Sequence, residues 1–514
     1  MKSNPRKECW PNGAKQTLTH MGKNRKNLTE QLKIYGDSYI YPFHMPGHKR
    51  QDMGMAGVEK MDITEVDGFD NLHHAEGILK EAQEGMARVF GADHSFFLVN
   101  GSTAGLLTAI SAAVPAGGKI LIARNCHKAV YNAIYLRQLS VEYVYPMQTD
   151  LGIQGSIDPE DVKRMLEGVG AVLITSPTYD GVVSDIAAIA DIVHAYDIPL
   201  IVDEAHGAHF GFGEGFPQKA LALGADLVIE SMHKTLPAFT QSAALHVKGE
   251  RISLEKIKRF LAMYQSSSPS YLLMAGLDRC TQMLEDGCSV LIGHWSQCLK
   301  DFYQKCEDLK HLYVVPFVDA KECHPWKGIF GKDNSKILIL CHNTKMNGQQ
   351  LAQMLLSNYG LQLEMDSGHY ATALTSMMDT PVGFERLAEA LHEIDEWLEA
   401  EYEEAKEIIE AECRSQENDV SWQQCIDSLY QPRQKQFEIH QAMDLDSERK
   451  TFLEAEGCVS TEFAYLYPPG IPFIAPGEVI TAGLAKKVVQ LQAAGFEIQG
   501  LSDQSGQTIK VATK

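Results

Sequence analysis

Short runs of apolar, β-branched residues alternate with helix-length segments between about residues 95 and 250, and this alternation limits the fold more than any other feature. The strand candidates lie at 120–122, 141–145, 171–174, 199–202 and 225–229, and amphipathic stretches such as 159–167 and 186–196 separate them. A strand that is apolar at every position has both faces covered. With helices between such strands, the pattern predicts a mostly parallel sheet in an α/β fold. Ligands of these folds gather beyond the carboxyl ends of the strands. Asp203 stands at that edge, at the end of the run Leu200-Ile201-Val202-Asp203.

The residues that follow spell Asp203-Glu204-Ala205-His206, a tetrapeptide also found in helicases. A nucleotide hydrolase of that kind needs a glycine loop ending in Gly-Lys and then Ser or Thr, to cradle phosphates. The Gly-Lys pairs here, Gly22-Lys23, Gly118-Lys119 and Gly331-Lys332, are followed by Asn24, Ile120 and Asp333. None qualifies. A net charge of −21 also opposes a grip on nucleic acid, which relies on Lys and Arg. Such acidity keeps an enzyme soluble and, secondarily, draws in a cationic substrate.

Just past the next strand candidate comes Glu230-Ser231-Met232-His233-Lys234-Thr235-Leu236-Pro237. A lysine there is awkward as a purely structural residue, because lysines are rarely buried without a partner. It suits an amine that forms a Schiff base with a carbonyl. Pyridoxal phosphate is the carbonyl cofactor whose needs match: an imine lysine, a carboxylate for the ring nitrogen and an anion site for the phosphate. Lys234 and Asp203 supply the first two. For the third, Asn100-Gly101-Ser102-Thr103-Ala104-Gly105 follows the apolar run at 96–99 and opens a helix expected at 106–114. Glycines there allow backbone N–H groups to approach an anion, and the helix start adds partial positive charge. Ser231 and His233 can add phosphate contacts. His127, just past the strand at 120–123, can stack on the ring, although a lone histidine in such a place is as often a packing residue.

With these residues the sequence resembles the ornithine/lysine/arginine decarboxylases of the aspartate-aminotransferase fold. The likeness is greatest to arginine decarboxylase and to the short bacterial form without an N-terminal receiver-like domain. The matching segments include Pro42-Phe43-His44-Met45-Pro46-Gly47-His48-Lys49, Asp70-Asn71-Leu72-His73-His74, and residues 100–105, 203–210, 231–237 and 265–271. Tyr467-Pro468-Pro469-Gly470-Ile471-Pro472 and Pro476-Gly477-Glu478 are similar to that family's C-terminal region. The resemblance implies fold type I of the pyridoxal-phosphate enzymes, with a mostly parallel seven-stranded sheet between helices and smaller C-terminal α/β domains. It implies that Lys234 carries the cofactor, Asp203 pairs with its ring nitrogen and His127 stacks on it, with Ala205 and His206 near the opposite side. Ser102, Thr103, Ser231 and His233 would hold the phosphate. Ser266 would reach it from a neighbouring subunit, which makes a homodimer the smallest working unit. The implied reaction releases CO₂ from arginine, lysine or ornithine to give agmatine, cadaverine or putrescine, in polyamine biosynthesis. Lys234, His233 and His127 are candidates for returning the proton to Cα. Glu364 and Asp366 are candidates for the substrate's distal cation, and equally ordinary solvated carboxylates.

Two other readings compete. An aminotransferase of the same fold would need a cationic residue gripping the substrate carboxylate, whereas a decarboxylase gains from leaving that group poorly solvated. A catalytically silent homologue would be expected to lack the lysine or the carboxylate, and both are present.

The rest of the chain bounds the setting. Lys2, Arg6, Lys7, Lys15, Lys23, Arg25 and Lys26 precede Thr29 with Glu8 as the sole acid, and no apolar stretch of signal-peptide type follows. This suggests a disordered leader, or translated sequence upstream of a start at Met21. Eleven scattered cysteines without a C-x-x-C pair point to a reducing cytosol, and to neither a disulfide framework nor a metal site. Phe384, Leu387, Leu391, Ile394 and Leu398 recur at helical spacing and predict a long acidic-faced helix over about 384–413, followed by a polar linker near 414–421. The expected divisions are a leader at 1–36, a cofactor-binding large domain at 37–310, a small α/β domain at 311–413 and a C-terminal domain at 422–514.

Overall fold

The computed structural model describes residues 39, 41–43, 70–319, 325–342, 344–412, 428–466, 471–493 and 496–513. The basic leader with Met21, the motif residues 44–49 and 467–470, and the linker at 414–421 lie outside the described residues.

Seven strands form the main sheet: β1 (His94–Leu98), β2 (Lys119–Ala123), β3 (Ser140–Val144), β4 (Val172–Thr175), β5 (Leu200–Asp203), β6 (Leu227–Glu230) and β7 (Ala243–Val247). Their order in space is β1-β7-β6-β5-β4-β2-β3. β7 runs antiparallel to both neighbours, and the remaining adjacent pairs are parallel. This is the mostly parallel sheet that the apolar runs predict. The period of two along each strand divides their side chains between two cores. Ile120, Ile122, Leu173, Ile201, Leu227 and Ile229 face one side, and Leu121, Val172, Ile174, Val202 and Val228 face the other. Each fully buried residue of this size contributes about 1.5–3 kcal/mol, so both faces need a cover.

Helices provide it. On the first face α2 (Gly101–Ala113) packs beside α3 (Lys128–Arg137) and α7 (Leu254–Tyr264), while on the second α4 (Pro159–Arg164) and α5 (Ile186–His194) close the layer. The chain order also includes α1 (Ile78–Phe90), the single turn α6 (Met232–Thr235) and α8 (Tyr271–Lys305). Two helices are shorter than their amphipathic stretches suggest. Leu166 lies beyond the end of α4 yet is only 5% exposed, so periodicity recorded burial there rather than helical backbone. The phosphate-loop candidate also differs from expectation: the helix starts at Gly101, and Gly101 to Gly105 are its first residues rather than a loop before it. Gly101, at φ 72°, makes the turn out of β1 that a side chain would strain.

Beyond α8, a second sheet contains β8 (Leu312–Val314), β9 (Lys336–Cys341), β10 (Met365–Asp366) and β11 (Tyr370–Leu374), with helices α9 (Gly348–Tyr359) and α10 (Pro381–Glu412). The periodic residues Phe384, Leu387, Leu391, Ile394 and Leu398 of α10 are all buried. Proline at the first position is compatible with a helix start, which explains why α10 begins ahead of the periodic residues. A C-terminal unit holds the pair β12 (Ser447–Thr451) and β16 (Thr508–Ala512), the sheet of β13 (Ala464–Leu466), β14 (Pro472–Ile474) and β15 (Ile498–Gln499), and helix α11 (Ala482–Ala493), around its own apolar core.

Candidate active site

A cavity of about 310 Å³ opens beyond the carboxyl ends of the central strands. Its lining comes from the ends of the strands and the residues after them: β1 (Ser102, Thr103), β2 (Asn125, His127), β4 (Thr175 and Pro177 to Asp180), β5 (Asp203, Ala205, His206) and β6 (Ser231, His233, Lys234). Parallel strands ending in register bring these segments together. Asp203 is paired with Thr175 of β4 on one side and with Ile229 of β6 on the other.

Lys234 sits in the single turn α6, and its Nζ lies 2.7 Å from Nε2 of His206. Burial lowers the Lys234 pKa to about 8, with Lys336 acting in the same direction and Asp203 and Glu364 opposing. His206 is held well below the ordinary imidazole range by burial and then by Lys234, so a neutral ring faces the amine. The Tyr179 ring packs 4.7 Å from that of His206, and the Tyr179 hydroxyl donates to Oε1 of Glu364 at 2.5 Å.

Asp203 is 3% exposed and accepts a hydrogen bond from the Ala205 N–H at 3.2 Å. Burial pushes its carboxyl up, while Lys234 and that N–H pull it down. A further cationic N–H would favour the ionised form. His127 begins α3: its Nδ1 accepts from the Ala129 N–H at 3.1 Å, leaving the proton on Nε2. The ring is accessible through the cavity, yet enough protein surrounds it that burial, Lys234 and Lys128 lower its pKa to about 4. His233 donates from Nδ1 to the Ser242 carbonyl at 2.8 Å, and burial likewise takes it to about 4.

The serine pair sits where an anion site was expected. Ser102 and Ser231 hydroxyl oxygens are 2.7 Å apart, at the start of α2. Asn100, which would ordinarily cap this helix, makes no side-chain capping bond; its Oδ1 accepts from the Ser266 N–H at 3.3 Å instead. First-turn N–H groups of such a helix suit a phosphate. Buried polar atoms of the lining, namely Asn125 Oδ1, Gln154 Oε1, Thr175 Oγ1 and His206 Nδ1, have no hydrogen-bond partner among the described residues. Buried polar groups in native proteins are nearly always paired. An amine, a buried carboxylate, an uncapped helix start and orphaned polar atoms together fit pyridoxal phosphate.

Ser102, Thr103, His127, Asp203, Ala205, His206, Ser231, His233 and Lys234 thus share one cavity. Glu364 stands behind Tyr179 rather than in the lining, and Asp366 is a half-buried residue of β10. Ser266 is exposed and lies outside the lining of its own chain's cavity; its carbonyl accepts from Nε2 of His73 at 2.8 Å. Reading the sequence missed Asn125, Gln154, the Thr175–Asp180 segment and Ile471. The rule that ligands gather at strand ends would have found the residues after β4. No local signal marks Gln154, whereas Ile471 belongs to the motif at 467–472, which points to the family's C-terminal region and not to the site.

Comparison with known proteins places the chain in a family. The family model described as "Orn/Lys/Arg decarboxylase, major domain" matches residues 26–327. An arginine decarboxylase of Bacillus subtilis is 29% identical over 504 residues, covering 96% of this chain and 98% of the relative. The inducible lysine decarboxylase of Escherichia coli K12 is 25% identical, over 88% of this chain and 75% of the relative. Among solved structures, a lysine decarboxylase from Francisella novicida superposes with a TM-score of 0.71 at 21% identity, covering 94% of this chain and 81% of that one. That last likeness bears on the fold.

Proposed function

Because the chain belongs to the Orn/Lys/Arg decarboxylase family, we propose that it releases CO₂ from a basic amino acid with pyridoxal phosphate as cofactor, and that arginine is its preferred substrate. The observation that carries this reading is the convergence of Lys234 and Asp203 on one cavity beyond the strand ends. Arginine is favoured by the higher identity and fuller coverage of the arginine decarboxylase, 29% over 98% of that relative. The lysine decarboxylase reaches 25% over 75%.

When bound, pyridoxal phosphate supplies an aldehyde for imine formation and a protonated ring that accepts the electron pair left as CO₂ departs. Lys234 is the amine that tethers it. Asp203 would pair with the ring nitrogen, His127 would stack on the ring, and Ala205 and His206 would lie near the opposite side. Ser102, Thr103, Ser231 and the first turn of α2 would hold the phosphate, and His233 would join them only when a proton on Nε2 gives it a donor. Glu364, held behind the lining by the Tyr179 hydroxyl, and Asp366, a half-buried residue of β10, are the carboxylates proposed for the substrate's distal cation, although neither lines the cavity. Of the proton carriers, Lys234 Nζ exchanges its proton near neutral pH, whereas His127 and His233, near 4, stay neutral. Lys234 is the first candidate for returning the proton to Cα, with His127 and His233 behind it. The setting is a cytoplasmic homodimer acting in polyamine biosynthesis, with Ser266 of one chain completing the phosphate site of the other.

Incubation with arginine, lysine and ornithine, following both CO₂ and keto acid, tests the reading. We expect CO₂ with the matching amine and no keto acid, fastest from arginine. Keto acid without CO₂ would make the protein an aminotransferase instead.

A further inference from the structure

The C-terminal unit reaches the cavity through a single described residue, Ile471, directly ahead of β14. The Ile471 carbonyl accepts from the Tyr430 hydroxyl at 3.4 Å, and the residue after it is tied to a buried cation of the large sheet. Arg124 is the first residue after β2 and is 2% exposed, as is its ion-pair partner Glu478. Its Nη2 donates to Oε2 of Glu478 at 3.2 Å, and its Nη1 donates to the Pro472 carbonyl at 2.6 Å. Glu478 Oε2 in turn accepts from the Ala475 N–H at 2.9 Å. One guanidinium therefore grips both ends of the segment that follows Ile471.

The other side of Arg124 belongs to the site. Its backbone N–H donates to the Val144 carbonyl at 2.8 Å, and its carbonyl accepts from the Tyr131 hydroxyl at 2.8 Å. Nη1 also contacts that hydroxyl, at 2.7 Å. Tyr131 lies on α3, the helix that His127 caps, and Asn125 follows Arg124 directly into the cavity lining. The pair thus joins the segment bearing Ile471 to the loop bearing Asn125 and His127.

We propose that Arg124 and Glu478 are positioning residues, through which the C-terminal unit builds one wall of the active-site cavity and fixes the loop carrying His127. A purely structural reading makes a different forecast. Buried ion pairs are often replaceable by apolar residues without loss of stability, whereas removing one partner strands a buried charge. The double variant Arg124→Met/Glu478→Leu therefore separates folding from positioning. The kinetic arm rests on the decarboxylase reading above; the spectroscopic arm does not.

The full chain, loaded with pyridoxal phosphate, is compared with this variant and with Ile471→Ala, which leaves the pair intact. We expect the double variant to stay folded with its cofactor bound, at a thermal midpoint lowered because the Pro472 carbonyl and the Ala475 N–H lose their partners. Its visible circular dichroism, which reports how the cofactor is held, should change, and kcat/KM for the preferred basic amino acid should fall at least tenfold. Ile471→Ala should lower kcat/KM in the same direction and add little to the double variant, since both remove the same wall. A folded, loaded double variant with the parent's dichroism and kcat/KM overturns the proposal, as does full additivity of the two changes. If the double variant does not fold, parent-like dichroism and kcat/KM in Ile471→Ala overturn it. A parent that releases no CO₂ from any basic amino acid defeats the decarboxylase reading, while the dichroism comparison still judges the positioning.

Discussion

At the scale of single residues, the site works by making one amine reluctant to hold its proton. Burial brings Lys234 to about 8, and Asp203 opposes that shift. Only the neutral amine attacks an aldehyde, so the rate of covalent cofactor attachment should rise with pH and level off above about 8. Below that it should fall about tenfold for each pH unit, because the protonated fraction takes over. Visible absorbance after mixing with pyridoxal phosphate measures this directly. Asp203→Asn removes the group that supports the charged lysine, so the plateau should begin at a lower pH. The same change deletes a charge-assisted hydrogen bond, worth about 1.5–3 kcal/mol, and equilibrium retention of the cofactor should weaken on the order of 10- to 100-fold. Faster loading with poorer retention is a combination that general damage to the site does not give. Lys234→Ala should show neither covalent attachment nor turnover; turnover persisting in that variant would remove Lys234 from its role.

At the scale of elements, the proposed anion site depends on how closely α2 lies on the sheet. Gly105 faces β1 and β6, and a Cβ built there would stand 2.7 Å from Leu98 Cδ1 and 2.9 Å from Ile229 Cγ2. Leu98 can swing its terminal methyl, but the branched Ile229 has little freedom at the same place. Gly105→Ala must therefore push α2 outward, at about 1–3 kcal/mol for overpacking of this kind. Since Ser102 and the uncapped first turn ride on the same helix, cofactor affinity should fall together with the thermal midpoint, whereas a remote destabilising change lowers the midpoint alone. This contact also explains what was legible beforehand. Strand ends at Asp203 and near Lys234 follow from apolar runs and their order, because burial on both faces leaves a local record. The start of α2 did not, since Gly-Ser-Thr-Ala-Gly reads as a loop until the surrounding strands force its small residues into close helical contact.

At the scale of the whole molecule, the record in the sequence thins further. Ile471 enters the lining, and Glu478 meets Arg124 outside it, through folding that no periodicity near them announces. Ser266 poses the same problem between chains. Its backbone is tied to Asn100 and His73 of its own chain, yet it lies outside the lining of that chain's cavity. Two arrangements are open to its hydroxyl, and charge distinguishes them. Ser266→Glu would set a carboxylate against the phosphate, so the homogeneous variant should load cofactor poorly. In a mixed dimer with Lys234→Ala chains, the outcome depends on which chain's Ser266 serves which lysine. If Ser266 acts across the interface, the intact Lys234 of the glutamate chain meets the intact Ser266 of its partner, and one site per dimer regains parent-like affinity and turnover. If it acts within its own chain, every site in the mixed dimer carries a defect. Co-expression with two affinity tags isolates the mixed species, and cofactor stoichiometry near half of the parent's, with matching activity, is the expected result. Mixed dimers no better than either homogeneous variant would confine Ser266 to its own subunit and leave the shared site without support.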